Sequence, residues 1–320
     1  MIITLDKNIK KGLITGFFGI IFVGLQPIVA LSRPSTIDAY LSGAMTCSVQ
    51  ALIFLVIMLF ELKIMNINKQ KMNSQPDESY RFHFLINWRK NISLLVFIGL
   101  LFSVNQVLFF IGYDLAGAIN GSLTQKTTVF FGLLLGYLIL KERISKLQIV
   151  FSFILFIGLA ISITQFFTLI NINKNVLIGV GILLLITFLW MFGHTLTKPI
   201  FNRNDATPIQ MVFIRNFISS LILISTYLIF FTPNLNLFID PANLLFFFTM
   251  GAVYGTGLLC WYLTLSYLDV SKATTLLAPT PISSAVFATF ILGEQFTIAN
   301  LIGTIIIIFS IVIIMKEKKK

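Results

Sequence analysis

Apolar residues fall along this chain in ten stretches separated by polar gaps. The stretches cover approximately 12–32, 38–60, 92–113, 116–140, 147–167, 176–197, 209–231, 243–267, 271–292 and 297–315. A helix of about 20 apolar residues crosses a bilayer core, and each stretch meets that length. Most gaps hold only a few residues, so consecutive helices must run antiparallel as neighbours. The one long connection, about 61–91, carries Lys63, Asn66, Lys69, Gln70, Lys71, Pro76, Asp77 and Glu78 and is expected to be a polar loop. The segments 171–175 and 232–241 are turn-rich. The pattern predicts an all-α membrane protein with ten transmembrane helices.

The basic residues add orientation. All of the 23 Lys and Arg except Arg33, Lys126, Lys174 and Arg215 gather at the two termini and at every second gap. By the positive-inside rule those ends and gaps are cytoplasmic. A multi-pass protein of the cell (cytoplasmic) membrane with both termini inside is therefore expected. Lys10 and Lys11 precede an apolar run longer than a signal-peptide core, with no small-residue cleavage site, so that run is read as the first span.

Composition narrows the function classes. The 320 residues are 57% hydrophobic and 11% charged, which leaves no segment for a soluble domain. The net charge of +11 is topology charge on the cytoplasmic side, so no nucleic-acid partner is expected. Cys47 and Cys260 lie inside apolar stretches and form neither a disulfide framework nor a metal site. His83 and His194 lie in different regions, and no nucleophile–base or metal-ligand cluster stands out. No Gly-rich Lys-Ser/Thr phosphate loop is present. An enzyme is not expected, and neither a cofactor nor a metal.

The chain divides into halves, 1–170 and 171–320, with the 61–91 connection in the first. A shift of 152 residues lays stretches 3, 4 and 5 on 8, 9 and 10, so that Leu140 and Glu142 meet Leu292 and Glu294. Trp190 and His194 of the sixth stretch fall near Phe22 and Gln26 of the first. Five spans per half make the halves enter the membrane in opposite orientation. That is the inverted-repeat plan of secondary transporters, whose sites lie near the midplane where the halves meet.

With this plan the chain resembles the drug/metabolite transporter superfamily, specifically its EamA-type members, over nearly its whole length. The resemblance rests on the five-plus-five plan and on the acidic signatures Leu138-Ile139-Leu140-Lys141-Glu142-Arg143 and Phe290-Ile291-Leu292-Gly293-Glu294. Ala278-Pro279-Thr280-Pro281, Arg215 and Trp190 add to it. The chain departs from the family pattern at Gly43-Ala44-Met45, where an Arg is common, and at Thr128, where a proline is usual. The resemblance implies a transporter of amino acids or related metabolites in the export direction.

Several residues could carry chemistry. Lys126 lies roughly 15 and 21 Å of helix from the two ends of its stretch, too deep to snorkel easily. A charge there costs at least about 2.5–3.5 kcal/mol on insertion scales. All twelve Asp and Glu fall in gaps, termini or span ends, so no acid on its own stretch or another pairs with it at depth. Lys126 is thus neutral, or hydrogen-bonded to carbonyls and amides such as Gln125 or Gln106, or paired with a substrate anion. His194 could relay a proton, bond a substrate, or simply be a satisfied structural group. Pro279 and Pro281 free carbonyls of the preceding turn, which at membrane depth must be buried in protein or line a cavity. Trp190 and Tyr262 offer a wall and an orienting hydroxyl. Arg215, near a cytoplasmic span end, is expected to reach the headgroups or cap neighbouring helices, with a gate as the alternative. Glu142 and Glu294 lie at membrane surfaces as gate or structural groups, Glu142 among Lys141, Arg143 and Lys146.

The substrate-binding set expected is therefore Lys126, Gln125, Gln106, His194, Trp190, Tyr262 and Pro279. The expected function is secondary active transport of a small anionic or zwitterionic, amino acid-like metabolite by alternating access, as an exporter. A flippase for a lipid-linked anion and a multidrug-type exporter are the alternatives. The partners expected are a small-molecule substrate and the bilayer, and a homodimer is compatible with the plan. The absence of an embedded carboxylate argues against an exporter of hydrophobic cations.

Overall fold

The computed structural model describes residues 7–71, 78–141, 143–166, 173–203, 205–268, 273 and 276–316. The described residues form helices and turns only. In order these are α1 (Lys7–Leu31), α2 (Ala39–Lys71), α3 (Glu78–Ala116), α4 (Ala118–Thr124), a 3₁₀ turn (Gln125–Thr127), α5 (Thr128–Leu140), α6 (Lys146–Thr164), α7 (Lys174–Asn202), α8 (Pro208–Phe230), α9 (Asn236–Ile239), α10 (Pro241–Tyr267), α11 (Thr280–Phe287), a π turn (Ala288–Leu292) and α12 (Ile298–Lys316). Eight helical segments are long and apolar enough to cross a bilayer, α4 through α5 counting as one. Two shorter apolar helices, Thr280–Leu292 and Ile298–Ile314, follow. The chain is an α-helical multi-pass membrane protein. Of the ten expected spans, eight have helices long and apolar enough to cross, and the last two have only shorter apolar helices.

Three boundaries differ from the sequence expectation. The polar connection at 61–91 is largely helix, because α2 runs to Lys71 and α3 starts at Glu78. Its Lys, Glu and Gln are good helix formers, and polarity alone does not break a helix. The fourth stretch, expected to be continuous, is interrupted at Gln125–Thr127. There Thr124 Oγ1 donates to the Asn120 carbonyl at 2.7 Å and Thr127 Oγ1 to the Thr124 carbonyl at 2.8 Å. Such back-bonding competes with the helix ladder and bends it. The ninth stretch carries a helix at Thr280–Phe287, with Pro279 at its cap and Pro281 in its first turn.

Polar contacts sort the helix ends onto two sides. At one end Arg33 pairs with Asp114 at 2.7 Å. At the other, Arg203 pairs with Asp205 at 2.8 Å, and Thr207 donates to Glu61 at 3.0 Å. The alternation matches helices that reverse direction at each connection. Outward faces carry Leu52, Phe153, Leu245, Phe290 and Ile305, all exposed. A bare apolar surface of this extent suits lipid, which hydrogen-bonds nothing.

The principal packing pairs have a regular form. α1 packs on α10 and α11, and α7 packs on α3 and α5. α2 packs on α8, and α6 on α12. α3 packs on α8, and α10 on α2. Exchanging α1 with α7, α2 with α8, α3 with α10, α5 with α11 and α6 with α12 returns the same set of pairs. A further correspondence is local: Lys141 and Gly293, which the 152-residue shift superposes, both take left-handed backbone, φ 56° and 69°.

Candidate functional site

Two helix interruptions meet near the centre of the bundle. One is the 3₁₀ turn Gln125–Thr127; the other is the turn Leu277–Pro279 before α11. In an unbroken helix the Leu277 carbonyl would accept from the amide four residues on, but that residue is Pro281, which has no N–H. The carbonyl is instead taken by Thr280, through its amide at 3.1 Å and its hydroxyl at 2.6 Å, and by Lys126 Nζ at 2.8 Å. Lys126 is 6% exposed, and no carboxylate pairs with it among the described residues. Its amine nitrogen therefore joins the two interruptions across the bundle through a neutral acceptor, with no carboxylate beside it among the described residues.

Beside this contact lies a cavity of about 100 Å³. Lys126 and Gln125 line it from the first interruption and Leu277 from the second. Gln26 and Val23 line it from α1, where Pro27 leaves the Val23 carbonyl without its helical donor. Trp190, Met191 and His194 come from α7, Arg215 from α8, and Tyr254, Leu258 and Trp261 from α10. Among the described residues no lining side chain is a carboxylate.

Arg215 does not reach for the headgroups. It is 2% exposed, with its guanidinium 3.9 Å above the centre of the Phe102 ring. It also faces the hydroxyls of Tyr254 and Tyr262. The aromatic face offsets part of the buried charge, and the N–H donors point outward in the guanidinium plane, some toward these hydroxyls and Nε toward no partner. His194 sits in an aromatic surround, with ring centres 5.4 Å from Phe102, 5.3 Å from Trp261 and 5.5 Å from Tyr262.

The buried polar atoms of this region are incompletely paired. Gln125 Nε2, His194 Nδ1, Arg215 Nε, Trp261 Nε1 and the Tyr262 hydroxyl have no hydrogen-bond partner. Native interiors satisfy most such groups, and exceptions ask for a cause. Three of these five, on Gln125, Arg215 and Trp261, are donors only, so the cavity is short of acceptors.

Of the residues singled out from sequence, Lys126, Gln125, His194 and Trp190 come together on the cavity wall, and Arg215 joins them. Gln106 and Tyr262 are buried behind it, and Pro279 lies beyond Leu277 in the second interruption. Glu142 lies outside the described residues. Glu294 closes the start of α4: its carboxylate accepts from the amides of Ala118 at 2.7 Å and Ile119 at 3.0 Å. Gly117 precedes these with φ 77°, and a Cβ there would lie 3.3 Å from Glu294 Oε1. Sequence reasoning missed this cap. The signal was a helix start at Gly117-Ala118 with no Ser, Thr, Asp or Asn to receive its first amides. Tyr254 and Met191 were also missed, and Gln26 surfaced only as the repeat partner of His194.

The family profile of the EamA-like transporters matches residues 10–164 and 177–316, once in each half. No curated protein matches the chain. A solved structure described only as the crystal structure of a protein is similar in fold, with a TM-score of 0.61 at 12% identity, covering 94% of this chain and 97% of that one. Two matches of one profile, which together take in almost the entire chain, are decisive, and the protein belongs to the EamA-like transporter family.

Proposed function

We propose that the protein is a secondary active transporter that moves a small anionic or zwitterionic, amino acid-like metabolite across the cytoplasmic membrane, outward, by alternating access. Ten spans in two inverted halves, 1–170 and 171–320, with both termini cytoplasmic, form the frame of this reading. The exchange symmetry of the packing pairs and the paired family matches support the frame. The observation that carries the functional reading is the Lys126 ammonium on the Leu277 carbonyl at the cavity wall. An arriving carboxylate is a stronger acceptor for an ammonium than a neutral carbonyl. It would draw Lys126 away from Leu277 and loosen the contact between the two interrupted helices. The halves are then free to rock, and binding is coupled to the change of access. Gln125, His194 and Trp190 orient the substrate around the anchor, and Arg215 lines the same cavity.

A cavity lined by Lys126 and Arg215, with no carboxylate among the described residues, disfavours a lipophilic-cation exporter. Counterflow in proteoliposomes tests the reading. Vesicles loaded with an unlabelled amino acid or carboxylate should accumulate the labelled compound transiently above equilibrium, for at least one member of the panel. Lys126→Met should abolish that overshoot. Overshoot for lipophilic cations alone, simple equilibration without overshoot, or an unimpaired Lys126→Met protein would each reject it.

A further inference from the structure

The cavity is electrically and chemically one-sided. Lys126 and Arg215 both line it, at 6% and 2% exposure, and neither meets a carboxylate among the described residues. Arg33 and Arg203, at the helix ends, each have an aspartate at 2.7 and 2.8 Å. Arg215 is stacked on Phe102 with Nε unpartnered, so one in-plane donor is free while the others face the Tyr254 and Tyr262 hydroxyls. Gln125 Nε2 and Trp261 Nε1 add two more donors that lack an acceptor. A zwitterion would bring its ammonium into this space with no carboxylate to receive it and two cations to repel it. A monoanion would neutralise one buried charge and leave the other.

We propose that the ligand of this cavity is a small organic dianion, with Lys126 and Arg215 each compensated by negative charge and Gln125 and Trp261 donating to its remaining oxygens. The inference rests on the transport reading above and narrows its substrate class. Arg215 becomes the residue that discriminates dianions from monoanions, while Lys126 serves any anion. The two negative charges can come from two carboxylates or from one phosphate monoester, since both present the same excess of acceptors to the same donors.

Calorimetric titration of the detergent-purified full chain decides it, with four probes. Succinate carries two carboxylates and glycerol 3-phosphate one phosphate. Monomethyl succinate carries a single charge, and aspartate adds an ammonium to the dicarboxylate. Succinate or glycerol 3-phosphate should bind at least tenfold more tightly than both monomethyl succinate and aspartate. Arg215→Met should erase that preference by weakening the dianion tenfold or more and the monoester less than threefold. If that variant does not fold, Arg215→Lys, which keeps the charge and loses the planar fork, should retain part of the preference. Equal affinity for dianions and monoanions, or tighter binding of aspartate, overturns the dianion assignment. If such binding is still lost in Lys126→Met, the transport reading stands alone. Binding of none of the four probes overturns the dianion assignment as well, and counterflow then judges the transport reading separately.

Discussion

Two buried polar regions of this protein are built in opposite ways. Where α6 meets α12, every prominent polar group has a partner. Asn300 Nδ2 donates to Ser162 Oγ at 2.8 Å, and Gln148 Nε2 to the Ile314 carbonyl at 3.0 Å. The backbones touch there as well, since a Cβ on Gly303 would lie 2.6 Å from the Gly158 carbonyl oxygen. Around the central cavity the polar groups are of the same kinds, yet five of them have unpartnered atoms, and Lys126 and Arg215 meet no carboxylate among the described residues. Lipid supplies no hydrophobic force between helices, so packing and hydrogen bonds must hold them. The first region spends its polar groups on that purpose. The second turns them toward the cavity instead, as an anion-binding site would.

Breaking the static region should cost stability without touching recognition. Gly303→Ala is the most damaging case, about 3 kcal/mol, because its new Cβ meets backbone that cannot give way. Gly158→Ala should be milder, since its nearest contact is the Ile306 side chain at 2.9 Å. Thermal unfolding of the two variants should rank them in that order, and equal values would argue that the helices do not approach as described. Asn300→Ala removes the bond to Ser162 and the acceptor for Thr297, and should cost about 2 kcal/mol with ligand binding intact. A change in affinity there would blur the division between the regions. Glu294→Gln keeps an oxygen at the start of α4 but loses the charge at a helix N-terminus, an effect of about 1 kcal/mol. Chemical denaturation should register it; an unchanged midpoint would deny the cap. Trp261→Phe takes away a donor that already lacks a partner. Its effect on stability should stay within about 1 kcal/mol, while ligand affinity falls about tenfold. The reverse pattern would make Trp261 a packing residue.

The sequence made the frame of the molecule easy to read and the site only half so. Apolar runs and the spacing of Lys and Arg report on lipid and membrane orientation, which act on whole segments, so the helices could be placed without tertiary detail. Lys126 was legible because a charge at such depth conflicts with its surroundings, and the prolines because a missing N–H has one consequence wherever it occurs. Leu277 was not, since the group that matters is a backbone carbonyl, which any residue supplies. Arg215 was misjudged because distance from a span end says nothing about the face its side chain takes, and Phe102 beneath it turned it inward. The interruption at Gln125–Thr127 carries no proline or glycine, and its cause lies in hydroxyls bonding back to their own helix.

The most direct test compares the wild type with Lys126→Met by thermal unfolding, each with and without a saturating anion from the binding panel. The charge of Lys126 costs about 2.5–3.5 kcal/mol to hold at this depth, and one hydrogen bond to a carbonyl returns only part of it. Without ligand, the Lys126→Met protein should be at least as stable as the wild type; with ligand, only the wild type should gain. A variant that unfolds several degrees earlier in the absence of ligand, or that gains as much from the anion as the wild type, would mean that Lys126 holds the helices together and that the cavity is not the substrate site.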